Sequence, residues 1–418
     1  MDRPQDPLNP LSERGVITGD GGILVVCLSS GFGGADVRVL QVARGLHGLC
    51  DYAVATLTDS PLAKKLEAAG LNIVGMGTSR ADPRLLHRFI ALLRCRRFQV
   101  VDAHNPQSQL WALLAARVAG TPVRVSSVHH VYGQTEGGAH KRLLYENILR
   151  LDRRLGCRFM AVSKEIVTDL KRLGIDGDLI THSDNAVEPA APRADVGAKL
   201  RASLGWDAEH VVVGIFGRLA EQKGHRILLE SLAALGTAFP KLRCLVVGGG
   251  PLEDDLRQQT SALDLNAVIH FTGFRNDVID LMHAVDLIAQ PSLYEGLPYT
   301  VLEASSLGKP MILSAVGGIP DHFVDGQSAI LITPGDIGAL TEAIRRCCKN
   351  DAGRTALGEA ARRLVEERFS IEKVLQDSLA LYQCDGLLAS APASDPPKVA
   401  RGMVQDVQGR SLCQSAAR

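Results

Sequence analysis

The segment Ser292-Leu-Tyr-Glu295-Gly296-Leu297-Pro298-Tyr-Thr-Val-Leu-Glu303-Ala304 sets two carboxylates eight residues apart, behind the apolar run Leu287–Gln290. Proline suits the first turn of a helix, so Glu295 falls in the loop ahead of that helix and Glu303 in its second turn. A glutamate near a helix N-terminus can serve the dipole alone. One set between Leu302 and Ala304 in an apolar stretch needs a partner for its oxygens, and the vicinal hydroxyls of a ribose meet that need. A second candidate is Gly217-Arg218-Leu-Ala-Glu-Gln-Lys223-Gly224, where a guanidinium fork and an ammonium five positions apart can clamp one diphosphate. It is not a P-loop, since G-x-x-x-x-G-K-[ST] is absent, and two solvated surface cations are the alternative. A third is Ser29-Ser-Gly31-Phe-Gly33-Gly34-Ala-Asp36, whose glycines let backbone N–H groups approach a phosphate or sugar at a helix start. Asp36 stands where a dinucleotide fingerprint would need its third glycine, and a plain strand-to-helix turn is the alternative.

Each of these loops follows an apolar run and precedes a helical pattern. Ile23–Leu28 reads as a buried parallel strand, with a helix over Val37–Leu49 and a next strand at Tyr52–Leu57. The alternation continues through Leu71–Val74, a helix near 83–97, Val100–Ala103, a helix near 107–119 and Val123–Val128. The Pro- and Ala-rich stretch from Asn185 to Asp195 marks a linker. A second series then runs through Val211–Phe216, Leu242–Val247, Val268–Phe271, Leu287–Gln290, Pro310–Leu313 and Ala329–Ile332. The fold class is therefore α/β, with two doubly wound, Rossmann-like domains facing a central cleft at the carboxyl ends of their strands.

The chain has 418 residues, enough for two domains with proper cores, and its 46 basic and 46 acidic residues cancel. That balance argues against a nucleic-acid binder. Nine cysteines with no C-x-x-C spacing exclude a disulfide framework and a zinc module; Cys27 and Cys244 sit in strand-like runs as core residues. Residues 1–20 are a polar, Pro-rich leader without a secretory signal, and 386–418 has the composition of a disordered tail. No run is long and apolar enough to span a bilayer, so the expected location is cytoplasmic, with any membrane contact peripheral.

The order of the glycine loop, G-R-L-x-x-x-K-G, V-V-G-x-G-P, F-x-G, P-S-x-x-E-G-L-P and Glu303-Ala304 resembles the retaining glycosyltransferases of family 4, which have the GT-B fold. The resemblance spans about 21–384. It implies an N-terminal acceptor-side domain over 21–190, completed by a C-terminal helix at 371–384, and a donor domain over 191–370. It further implies that Arg218 and Lys223 hold the donor diphosphate, with Gly33 and Gly34 beneath it, that Glu303 binds the ribose, and that Glu295 and His129 are catalytic, near the donor sugar. Gly296, Leu297 and Pro298 would border the sugar and phosphates, and His104 and Asp36 would be further cleft positions.

The activity implied is transfer of a sugar from a nucleotide-diphosphate sugar to a glycan or lipid-linked acceptor in polysaccharide or glycolipid assembly. No cofactor and no metal are expected: Asp176-Gly-Asp178 reads as a polar turn rather than a cation site, and leaving-group charge would fall to Arg218, Lys223 and backbone dipoles. A catalytically silent nucleotide-sugar-binding partner and an epimerase or hydrolase on the same fold are the rivals, followed by an NAD dehydrogenase. The six arginines between 80 and 97, interleaved with leucines, and six cations over 141–158 suggest helices that lie on an anionic membrane; packing on the sheet explains the leucines equally well.

Overall fold

The computed structural model describes residues 22–130, 138–188 and 194–383. The expected leader at 1–20, the tail at 386–418 and the middle of the linker lie outside them. Two parallel sheets carry the chain. The first has seven strands, β1 (Ile23–Cys27), β2 (Tyr52–Thr56), β3 (Ile73–Gly75), β4 (Val100–His104), β5 (Val123–Val128), β6 (Arg158–Ala161) and β7 (Ile180–His182), in the order β3-β2-β1-β4-β5-β6-β7. The second has six, β8 (Val211–Phe216), β9 (Leu242–Val247), β10 (Ile269–Phe271), β11 (Leu287–Gln290), β12 (Met311–Ser314) and β13 (Ile330–Ile332), in the order β10-β9-β8-β11-β12-β13. Helices cover both faces, which is why β1, β2 and β4 are buried at every residue and read as unbroken apolar runs rather than alternating ones.

Strand order reverses between β1 and β4 in the first sheet and between β8 and β11 in the second. At such a point neighbouring loops leave in opposite directions and open a crevice beyond the strand ends. All three candidate loops emerge from β1, β8 and β11, so the topology alone directs them to the two crevices.

Two helices differ from expectation. The first helix starts at Gly34, not Val37, because the Asp36 carboxylate accepts from the Gly33 N–H at 2.9 Å and extends the first turn backwards. The helix expected over 107–119 is broken into Pro106–Ser108, a π-turn at Gln109–Leu113 and Leu114–Ala119. The terminal helix, Ile371–Gln383, packs on the first sheet's core through Val374, Leu375, Leu381 and Tyr382, and against the helix Gly34–Leu46. The arginine-rich helix Arg84–Arg96 buries Leu85, Phe89, Leu92 and Leu93, so its leucines are core residues. The helix Gly138–Arg154 instead exposes Leu143 and Leu144 by 54% and 55%.

Candidate active site

The loop after β11 carries Glu295, whose side chain is nearly buried and held from three sides. Lys223 Nζ lies 2.5 Å from Oε1, Ser292 Oγ donates to the same oxygen at 2.9 Å, and Gln222 Nε2 reaches Oε2 at 3.3 Å. Lys223 therefore reaches across from the loop after β8, and its ammonium meets the carboxylate. That approach requires backbone contact between the two loops: a Cβ on Gly224, at φ +69°, would stand 2.0 Å from the Pro291 carbonyl oxygen. Arg218, on the same loop, is exposed.

Pro298 is extended, at ψ 132°, and the helix Tyr299–Ser306 begins after it, with Glu303 in its second turn. Glu303 is partly exposed, and its carboxylate makes no hydrogen bond among the described residues. Burial pushes its pKa up to about 7, against the pull of Lys65. Lys65, whose charge acts on Glu303, has its Nζ 4.6 Å over the ring of Phe32 in the glycine loop of the first sheet. The same approach brings Gly34 within 3.2 Å of the Tyr299 ring, measured from its ideal Cβ, while Tyr299 Oη donates to Gln41 Oε1 at 3.2 Å. Gly33 and Gly34 are exposed at this contact. Asp36 is buried beneath it: besides capping the helix it accepts from Cys27 Sγ at 3.4 Å, and burial raises its pKa. Its position is that of a support for the loop rather than a side chain presented to the cleft.

The end of β5 comes to the same place. A Cβ on Gly296 would lie 3.1 Å from the His129 carbonyl oxygen, so the Glu295-Gly296-Leu297 backbone rests against the first domain. Asn185 Nδ2 donates to the Leu297 carbonyl at 2.8 Å, a second tie across the same seam. His129 Nε2 is 2.9 Å from His104 Nδ1, and His104 Nε2 is 3.3 Å from Asp102 Oδ2. Asp102 also accepts from Ser127 Oγ at 2.7 Å and from Tyr382 Oη at 2.6 Å. Burial pushes the Asp102 carboxyl up, but His104 and the two hydroxyls outweigh it and hold the group below its ordinary value. Burial, reinforced by His104, His130 and Arg38, pushes the His129 imidazole well down, so it is neutral.

The structure thus brings together Glu295, Lys223, Gly296, Leu297 and His129, with His104 behind His129; it sets Glu303 and Gly34 on either side of one seam. Residues that sequence patterns did not single out also take part: Gln222 and Ser292 on Glu295, Asp102 and Tyr382 behind the histidines, and Gly317. Gly317, at φ +59°, has its ideal Cβ 2.3 Å from the Glu295 carbonyl oxygen, and the Gly-Gly pair at 317–318 was the signal available for it. The string Asp176-Gly-Asp178 lies in a short turn before β7, with Asp176 3.5 Å from Arg153. Among the described residues no three or more His, Cys, Asp or Glu side chains are grouped to hold a metal ion. No helix among them is long and apolar enough to cross a membrane.

Comparison with known proteins agrees with this fold. Residues 32–191 match Glycosyltransferase Family 4, and residues 197–364 match Glycosyl transferases group 1. The chain is 26% identical over 309 residues to the Escherichia coli UDP-Gal:alpha-D-GlcNAc-diphosphoundecaprenol alpha-1,3-galactosyltransferase, covering 72% of this chain and 79% of the relative. It is 28% identical over 383 residues to the 2-deoxystreptamine glucosyltransferase of Streptomyces kanamyceticus, covering 83% and 98%. Among solved structures, Anabaena Alr3699/HepE in complex with UDP-glucose superposes with a TM-score of 0.76 at 23% identity, over 86% of this chain and 99% of that one. With one sheet matched by each family and the two crevices facing across a shared seam, the chain belongs to the GT-B glycosyltransferases of the family 4 and group 1 type.

Proposed function

We propose that this glycosyltransferase moves a hexosyl unit, with retention, from a uridine-diphosphate sugar to a lipid-linked or glycan acceptor. The observation that carries the reading is the contrast between two carboxylates: Glu295 is engaged by Lys223, Ser292 and Gln222, while Glu303 is drawn up to a pKa of about 7 and makes no hydrogen bond among the described residues. An acceptor pair without a donor suits a ribose diol, and a carboxylate anchored beside a cation suits the reacting sugar and diphosphate. In this assignment Arg218 and Lys223 take the diphosphate, Gly33 and Gly34 lie beneath it, and Gly296, Leu297 and Pro298 border the sugar. Glu295 and His129 contact the sugar's hydroxyls. Positive charge placed in advance where the leaving diphosphate gains negative charge lowers the barrier without reorganisation, and no metal is required by these residues. The uridine base and the lipid-linked acceptor are supported by what the relatives' names state of those proteins.

Incubating the wild type and Glu295→Gln with UDP-galactose or UDP-glucose and a polyprenyl-diphosphate-linked sugar tests this directly. A new α-linked product from the wild type only is expected. UDP release without product, or no consumption of any nucleotide sugar, overturns it. We further propose that the chain works on the cytoplasmic face of a membrane, docking through the helix Gly138–Arg154, where exposed Leu143 and Leu144 follow Lys141 and Arg142. Sedimentation with anionic vesicles should fall when Leu143 and Leu144 are changed to serine; unchanged binding removes this part.

A further inference from the structure

Behind His129 lies a chain of buried groups that no part of the proposed donor site requires. The His104 and His129 rings are inclined by 27° with centroids 5.1 Å apart, and their nitrogens approach edge to edge at 2.9 Å. Both rings are buried, at 2% and 7% exposure, and Asp102 is buried at 1%. Asp102 is fixed by Ser127 from the neighbouring strand β5 and by Tyr382 from the terminal helix, 280 residues away in sequence. Both hydroxyls donate, so the carboxylate is an acceptor to both, and His104 Nε2 faces its Oδ2 at 3.3 Å without the alignment of a hydrogen bond.

We propose that Asp102 and His104 are positioning residues that fix the proton order of His129, leaving its Nδ1 lone pair free to accept a hydroxyl of the donor sugar. The order follows from the contacts. Acceptor-only Asp102 draws the His104 proton to Nε2. His104 Nδ1 is then an acceptor, and His129 must place its own proton on Nε2. Nδ1 of His129 is left unprotonated on the ring edge opposite the pair. The reverse order either turns a bare His104 Nε2 lone pair on the Asp102 carboxylate at 3.3 Å, which repels it, or makes His104 an imidazolium in a site already facing the buried Arg38 guanidinium, which acts on both Asp102 and His129; His130 is the other titratable group acting on His129. A second buried cation beside the first is disfavoured. The role assigned to Nδ1 rests on the donor-site reading above; the proton order does not.

Two measurements on the full chain keep these separable. With ¹⁵N-labelled histidine and no ligand, long-range ¹H–¹⁵N correlation at pH 7 should show His129 protonated at Nε2 and bare at Nδ1. A proton on His129 Nδ1 overturns the proposal, whatever the enzyme transfers. For the role, His104→Phe should lose about tenfold in kcat/KM for the nucleotide sugar, the worth of one hydrogen bond, while affinity for UDP itself stays within about twofold, since UDP carries no sugar to reach His129. His104→Gln, whose amide oxygen can still accept from His129, should recover part of the loss. Equal losses for sugar nucleotide and UDP, or no loss in either, contradict the positioning role. A wild type that binds no nucleotide sugar would instead remove the function reading and leave the proton order standing.

Discussion

Lys223 Nζ and Glu295 Oε1 stand 2.5 Å apart, joining the loop after β8 to the loop after β11 across the switch point of the second sheet. The pair fixes the shape of that side of the cleft. Removing one member strands a nearly buried charge, at a cost of about 3–5 kcal/mol. Lys223→Ala should therefore lower both stability and turnover. Combining it with Glu295→Gln should restore most of the stability and none of the turnover. Chemical denaturation and a transfer assay on the four members of this double-mutant cycle check both halves.

Glu303 makes a sharper pH prediction. With a pKa of about 7, raised by burial, it is largely protonated in the free protein at pH 6 and ionised at pH 8. In the proposed assignment a ribose diol donates to the carboxylate, so nucleotide affinity should fall as pH drops through 7, approaching tenfold per unit below it. Binding at pH 7 should release about half a proton. Calorimetric titration of UDP in buffers of different ionisation enthalpy measures both, and Glu303→Gln should bind more weakly at pH 8 with no pH dependence over this range.

Asp152 concerns stability alone. It is buried, its one side-chain partner among the described residues is Ser126 Oγ, which donates to Oδ2 at 2.9 Å, and burial drives its pKa up to about 8. The folded state then holds a proton that the unfolded state releases near pH 4, so stability falls as pH rises from about 4 to 8, on the order of 1 kcal/mol per unit. Asp152→Asn should flatten that slope in denaturation curves taken across the window; an unchanged slope would place the titration elsewhere.

Gly317 holds the Glu295 loop by having no side chain. At φ +59°, with an ideal Cβ 2.3 Å from the Glu295 carbonyl oxygen and 2.4 Å from that of Gly296, an alanine forces the loop to move. Gly317→Ala should cut kcat/KM by at least about a hundredfold while circular dichroism shows the fold retained.

Much of this was legible in the sequence because it is local. The apolar runs of β1, β8, β9 and β11 are buried on both faces and stand out, whereas β7 is three half-buried residues, Ile180–His182, and carries no such signal. Arg218, Lys223, Glu295 and Glu303 lie on loops and a helix start whose glycines and Pro298 mark them out. The break at Gln109–Leu113 was hidden because no glycine or proline marks it; upstream, Asn105 takes φ +97° and caps the short helix through the Ser108 backbone N–H. The Asp102 cluster was hidden for another reason: Tyr382 meets it only because the terminal helix returns to the first sheet, and no spacing in a sequence records that contact.

The most direct test of the donor site is thermal unfolding of the full chain with UDP, GDP, ADP, dTDP and CMP, with and without EDTA, for the wild type and Arg218→Ala. At a hundred times its dissociation constant a bound ligand adds about 2.7 kcal/mol, enough to raise the midpoint visibly. The account predicts a rise with UDP that EDTA leaves unchanged and that Arg218→Ala abolishes. A wild type that shifts with none of the five would contradict it.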